Sequence, residues 1–335
     1  MEKNGEYASD DTVDWLLEDE NPSVKYFTLI DLLGKRIDEP EVRTAKEHIM
    51  NIGVVPKILE KQKPGGYWGI QDDFYVRSKY KGTVWNLIIL AELGANGKDS
   101  RIKETCEFIF KKSQDPRSGG FSTESTIRNG GLPSKVLPCL TGNMVWSLIR
   151  LGYLEDPRAQ KGIQWITKYQ HFDDGEQNMP KDWPYKSHKA CFGKHSCHMG
   201  VVKTLKALAE IPANKRNSGV KNTINKAVEY LLAHHIYKRS HDLSKKSKPG
   251  WLRLGFPLMY QSDILETLGI LTKLHIKDER MQDAIDIIVS KKDENGRWIL
   301  ENSYNGRFIT NIETKGKPSK WITLNAIRVL KRYNG

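Results

Sequence analysis

Two cysteines and two histidines stand within eight positions in the stretch "CFGKHSCHMG", residues 191–200. Thiolates and imidazoles are the ligands that borderline-soft zinc favours. His195 and His198 are three apart and share a face in a helical turn, with Cys197 beside them. The apolar run that follows places the group at a helix N-terminus, where the dipole favours thiolate. The spacing is not that of a structural zinc knuckle. It predicts a zinc-like ion on Cys191, Cys197 and His198 with an open position that can polarise a substrate or activate water. His195 is then a fourth ligand or an acid/base group. Cys139, in "LPCLTGN", falls near the level of Cys197 when the apolar segments are aligned on their Leu pattern, so it is expected beside the cluster. The alternative is small buried thiols and histidines that are satisfied core polar groups.

A second candidate is "YQSDILETL", which places Asp263 and Glu266 three apart on a buried helix. Desolvation there raises a carboxyl toward general acid or base work, and Asp263 is the stronger candidate. A carboxylate that only caps a helix or pairs with a base is the alternative. The polar segments nearby offer aromatic walls from Tyr185, Tyr260 and Trp321 and charge partners from Arg253 and Lys320. Two long connections, residues 237–255 and 300–318, fall in the same half of the chain. Loops longer than about 12–15 residues are often functional, so the first, basic connection is a candidate lid or phosphate-contacting segment, with a solvated loop as the alternative, and the second can bring Arg307 and Glu313 to the mouth of the site.

These residues hang on a repeat. Six segments are apolar over most of their turns: 23–34, 81–94, 141–153, 196–211, 260–274 and 319–333. Helices of that kind are buried on nearly every side. Amphipathic helices alternate with them at 41–62, 100–114, 158–170, 220–236 and 279–292, and residues 10–20 supply a sixth. Gly and aromatic punctuation follows the outer segments: "GGYWG" at 65–69, "GGF" at 119–121, "DDGEQ" at 173–177, "PGW" at 249–251 and "NGRW" at 295–298. The pattern predicts an all-α fold, an (α/α)6 toroid formed as one domain over residues 1–335. The buried helices would run parallel around a central cavity, with the ring closed by 10–20. An open solenoid is the alternative; it needs capping repeats, and none is present. The N-terminal ends of the inner helices are expected to form the mouth, where six dipoles favour an anion.

The punctuation carries a resemblance. "LEKQKPGGYWG", "KKSQDPRSGGF" and "KYQHFDDGEQ" resemble the Gln to Gly-x-Trp repeats of the squalene and oxidosqualene cyclases and of the protein prenyltransferase β subunits. Gln62 with Gly66 and Trp68, Gln114 with Gly119 and Phe121, and Gln170 with Gly175 carry it. The resemblance implies the toroid. It implies no particular reaction, because the Asp-x-Asp-Asp acid of the triterpene cyclases and the Asp-x-Cys zinc ligands of the prenyltransferases are both absent.

The net charge is +12, but Lys is spread along the chain and no nucleic-acid motif accompanies it, so an anionic small molecule is the expected partner rather than nucleic acid. Four unevenly spaced cysteines do not form a disulfide framework. No run approaches the roughly 18–20 apolar residues of a membrane span, and a cytoplasmic location is expected. Together these features predict a zinc-assisted enzyme, a hydrolase, lyase or transferase, acting on an apolar or aromatic molecule with an anionic group. The rivals are a carbohydrate-active (α/α)6 hydrolase or lyase, weakened by the few carboxylates placed at the cavity, and a non-catalytic binding subunit with a structural Cys and His site.

Overall fold

In the computed structural model the described residues are 8–128, 130–175, 180–193 and 195–335. Glu176 and Gln177 of the third punctuation segment and Lys194 of the Cys and His stretch lie outside them. The helices are α1 (Asp10–Leu16), α2 (Pro22–Asp31), α3 (Pro40–Asn51), α4 (Val54–Leu59), α5 (Thr83–Glu92), α6 (Ser100–Lys112), α7 (Pro138–Arg150), α8 (Pro157–Tyr169), α9 (Lys189–Phe192), α10 (His198–Glu210), α11 (Ser218–Ala233), α12 (Ile264–Lys273), α13 (Gln282–Ser290) and α14 (Lys320–Asn334). A two-stranded antiparallel hairpin, β1 (Lys238–Arg239) and β2 (Asp242–Lys246), is an addition that the helical repeat does not foretell.

All six apolar segments form helices: α2, α5, α7, α10, α12 and α14. Their starts follow local chemistry. Proline occupies the first turn of α2 and α7, and Asn21, Asp263 and Ser319 cap α2, α12 and α14 by accepting from backbone N–H groups. The outer segment 41–62 breaks in two instead of running through, because Gly53 takes φ +81° between α3 and α4.

The inner helices pack in sequence, α5 on α7, α7 on α10, α10 on α12, α12 on α14 and α14 on α2. Between α2 and α5 the ring closes through Phe27, whose ring lies 3.0 Å from where a Cβ on Gly94 would stand, and through Lys46 Nζ donating to the Gly94 carbonyl at 2.7 Å. The chain ends meet as well. Thr12 Oγ1 donates to the Asn295 carbonyl at 3.0 Å, and Lys320 bridges Glu18 and Glu20 at 2.6 and 3.0 Å. A ring, not an open solenoid, is the outcome, and α1 packs on α2 and α14.

The punctuation segments act as staples. Gln62 Nε2 donates to the Arg101 carbonyl in the first turn of α6, and Gln114 Nε2 donates to the Arg158 carbonyl in the first turn of α8, at 2.8 and 2.7 Å. The backbone N–H groups of Trp68, Phe121 and Trp298 donate to Thr83, Thr141 and Thr323 in the first turns of the next inner helices. Each staple thus ties an outer helix end to the next outer helix and the next inner one. Gln114 also donates to the Gly119 carbonyl at 2.9 Å. Replacing Gln114 by Leu removes hydrogen bonds from a buried and a half-buried carbonyl, so a loss of about 1–3 kcal/mol is expected in chemical denaturation. An unchanged midpoint would show the staple to be ornamental.

Candidate active site

Each inner helix ends on a charged residue. Asp31, Glu92, Arg150, Glu210 and Lys273 are the last residues of α2, α5, α7, α10 and α12, and Arg332 stands in the last turn of α14. All six line one central cavity of about 250 Å³, which shows the inner helices to be parallel. Ten of its 21 lining residues are ionisable, five acidic and five basic. The rim is part-exposed, whereas Asp263 and Trp321 at the floor are 1% and 2% exposed.

The charges are ordered by depth. Lys273 Nζ and Arg150 Nη1 reach Glu210 at 2.6 and 3.4 Å, and Arg328 bridges Asp31. Deeper, Lys203 Nζ contacts both oxygens of Glu266 at 2.7 Å, Lys206 joins Glu266 at 3.0 Å and also bridges Glu92, and Ser262 Oγ donates to Glu266 at 2.7 Å. Burial opposes the Glu266 charge, but Lys203 and Lys206 outweigh it and hold the carboxyl down at about 2. Three residues along, Asp263 goes the other way. It caps α12, accepting from Glu266 N at 2.8 Å and Gly255 N at 2.9 Å, yet burial pushes it up to about 7, with Glu266 adding and the two N–H donors subtracting. At the same floor Trp321 stacks on Phe256 at 4.4 Å and 10°. Trp321 Nε1 and Arg328 Nε are buried donors without a hydrogen-bond partner. Such groups are costly unless something accepts from them.

The expectation of a mouth at the N-terminal ends of the inner helices needs correcting. There the turn 255–260 dips into the ring, with Met259 1% exposed and its carbonyl accepting from Asn143 Nδ2 at 3.1 Å. Aromatic rings fill that end: Tyr75 stacks on Trp85 at 4.6 Å, Tyr80 on Tyr304 at 4.2 Å, and Tyr260 meets Trp85 at 6.1 Å. The cavity therefore faces the helix C-termini, and the residues expected from sequence to bind a ligand divide accordingly. Trp321 lines it. Tyr260 belongs to the aromatic fill, its hydroxyl accepting from Lys79 at 3.0 Å. Tyr185 packs edge-on against Phe192 and His171, outside the cavity. Arg253 and Arg307 are exposed: the two long connections pair through Gly255 and Asn302, and the second sends Tyr304 rather than Arg307 inward. Lys320 is committed to Glu18 and Glu20.

The Cys and His stretch divides: Cys191 in α9 and Cys197 before α10 stay together, Cys197 N donating to the Cys191 carbonyl at 3.1 Å, while His198 begins α10. Burial pushes the Cys139 thiol up, with Cys191 and Cys197 adding to it, and pushes Cys191 up to about 12, so desolvation overcomes any helix-dipole preference for thiolate. The His198 ring stacks edge-on among Trp251, His234 and Tyr230 at 4.2, 5.0 and 5.7 Å. Burial, with His234 and Lys248, holds that imidazole well below its ordinary value. Among the described residues, the group whose ligand atoms come within 4.8 Å of one another is Asp174, His195 and His241.

Sequence reasoning missed the charged rim, although a signal for it exists. The apolar inner segments each close on a charge, as in "TLIDLLG", "LAELG", "LIRLG", "LAEI", "LTKL" and "VLKRY". Five acidic residues at the cavity also exceed the few placed there from sequence.

No family model matches the chain, and no curated protein matches it. Among solved structures, it is similar to a variant of the type II terpene cyclase MstE from Scytonema in complex with geranylgeranyl dihydroxybenzoate, at 14% identity over 94% of this chain and 87% of that one, with a TM-score of 0.43. It is also similar to the GH76 α-mannanase BT2949 of Bacteroides thetaiotaomicron, at 12% identity over 75% of this chain and 68% of that one, with a TM-score of 0.41. What is established for this chain is an all-α ring of alternating inner and outer helices, read from its own helix contacts.

Proposed function

We propose that the chain is an enzyme whose central cavity takes a small molecule with an anionic group, and that Asp263 moves a proton on it. The observation that supports this is the divergence of two neighbouring carboxyls, Asp263 near 7 and Glu266 near 2, in one cavity. Groups pushed apart in this way divide acid/base work between them. Asp263 holds or gives a proton near neutral pH, and the ionised Glu266 keeps Lys203 and Lys206 in place. Arg328 and Arg332 meet the anionic group, and Phe256 and Trp321 face its apolar or aromatic part. Proton transfer of this kind suits a hydrolase, lyase or transferase.

Phenyl phosphate is a suitable probe. Calorimetry is expected to show saturable binding, weakened about 10- to 100-fold in Arg332→Ala, the value of a charge-assisted hydrogen bond. Absence of binding, or binding indifferent to Arg332 and to salt, would sink the anionic reading. A second reading, a carbohydrate-active hydrolase or lyase, draws on the five cavity carboxylates beside aromatic walls. Salt-indifferent binding of a neutral disaccharide, lost in Trp321→Leu, would favour it.

A further inference from the structure

We propose that Asp174, His195 and His241 hold a divalent transition-metal ion that fastens the β1–β2 hairpin to the loop entering α10. The three ligands come from segments far apart in sequence: the loop after α8, the loop before α10 and the hairpin turn. His195 Nδ1 stands 3.3 Å from Asp174 Oδ1, and His241 Nε2 stands 3.8 Å from Asp174 Oδ2. Ligand atoms at the corners of a tetrahedron with zinc bond lengths of 2.0–2.1 Å are about 3.3–3.4 Å apart. The Asp174 and His195 atoms have that separation, which is long for a hydrogen bond. His241 Nε2 also stands 2.6 Å from the Asp174 backbone carbonyl, so its ligation moves the ring proton to Nδ1 and exchanges that hydrogen bond for the ion. The His195 and His241 side chains are 54% and 59% exposed, so an ion reaches them from solvent and keeps a water-bearing position.

A fourth imidazole supplies an independent observation. His234 is buried at the end of α11, its Nδ1 2.8 Å from the Tyr230 carbonyl and its Nε2 3.4 Å from Asp174 Oδ1. The buried ring thus spans the Tyr230 carbonyl and the Asp174 carboxylate and fixes where that carboxylate points. A buried ring that fixes a ligating carboxylate is the arrangement that surrounds metal ligands in general. Two imidazoles and a carboxylate with an open position suit zinc or ferrous iron. The ion is of the class that the Cys and His stretch suggests, but of its four sequence-named ligands and His195, only His195 takes part.

The test uses the full-length protein and Co²⁺, whose spectrum reports its ligands. One equivalent is expected to bind with visible d–d absorption and no thiolate charge-transfer band, to be displaced by Zn²⁺, and to protect residues 238–246 from proteolysis. His195→Gln and His241→Gln are each expected to weaken binding at least about tenfold, and His234→Gln about 10- to 100-fold, while Cys191→Ser and Cys197→Ser leave it unchanged. Circular dichroism shows whether the variants fold, and the exposure of His195 and His241 makes their replacement mild. A thiolate band lost in Cys197→Ser would move the ion to the cysteines and overturn the proposal. Failure to bind one equivalent would do the same, and binding without protection of the hairpin would remove the fastening role.

Discussion

Glu266→Ala is expected to cost about 3–5 kcal/mol of stability, measured as a fall in the urea midpoint, because it leaves the buried ammonium of Lys203 without its counter-charge. Lys203 is 1% exposed, and Glu266 is its ion-pair partner. Burial already pushes the Lys203 ammonium down, with the Glu266 charge opposing. Lys206 is less affected, since Glu92 remains to it. The double replacement Lys203→Met with Glu266→Leu removes both charges at similar volume and is expected to recover most of the loss, as buried pairs replaced by apolar groups commonly do. If the single variant unfolds at the wild-type midpoint, the pair is not a structural element. If the double variant is as unstable as the single one, the cost lies in packing instead.

How this fold reads from sequence follows from what each pattern reports. The inner helices were legible because "TVWNLIILAE" is apolar on every face and its counterparts over most of their turns, and such segments have little surface to offer water. The staples were half legible. Gln114, Gly119 and Phe121 stand out as punctuation, but the receiving hydroxyls of Thr83, Thr141 and Thr323 belong to the following helices and carry no signal of their own. The break at Gly53 inside an amphipathic run was missed, since one glycine in a helical pattern is often tolerated.

The candidate site was legible in residue type more than in place. Asp263 and Trp321 do reach the cavity floor, because their register on α12 and α14 fixes which way they face. Arg253 and Arg307 do not, since their position depends on how two long connections pack against each other, through the Leu254 carbonyl with Glu301 N and Asn302 N, and no periodicity reports that. Periodicity also says how deeply a helix is buried, not which of its ends a loop will cover. The turn 255–260 covers the N-terminal end, and so the charges at the opposite end become the rim. The Cys and His stretch shows the same limit, as adjacency in sequence put Cys197 and His198 beside His195, whereas the fold gives His195 to Asp174 and His241.

The stability of the wild-type protein is expected to fall between pH 4.5 and 7 relative to that of Asp263→Asn, and the reason is a matter of sign. The Asp263 carboxyl rises from an ordinary 3.8 to about 7 in the fold, so over this interval the native state keeps a proton that the unfolded chain has lost. Stability from this group is complete below about pH 4 and is lost as pH rises through 7. Glu266 works in the opposite sense, between its ordinary 4.5 and about 2, and leaves the upper interval to Asp263. Asparagine does not titrate. Its oxygen can still accept from Glu266 N, but its amide nitrogen cannot accept from Gly255 N, which sets a penalty of about 1–3 kcal/mol that does not vary with pH. The difference between variant and wild type is therefore expected to move in the variant's favour by on the order of 3–4 kcal/mol from pH 4.5 to 7 and then level off. Urea titrations at half-unit steps measure it. Parallel profiles would mean that the two backbone donors keep Asp263 ionised throughout, and the proton assigned to it in the cavity would have to come from elsewhere.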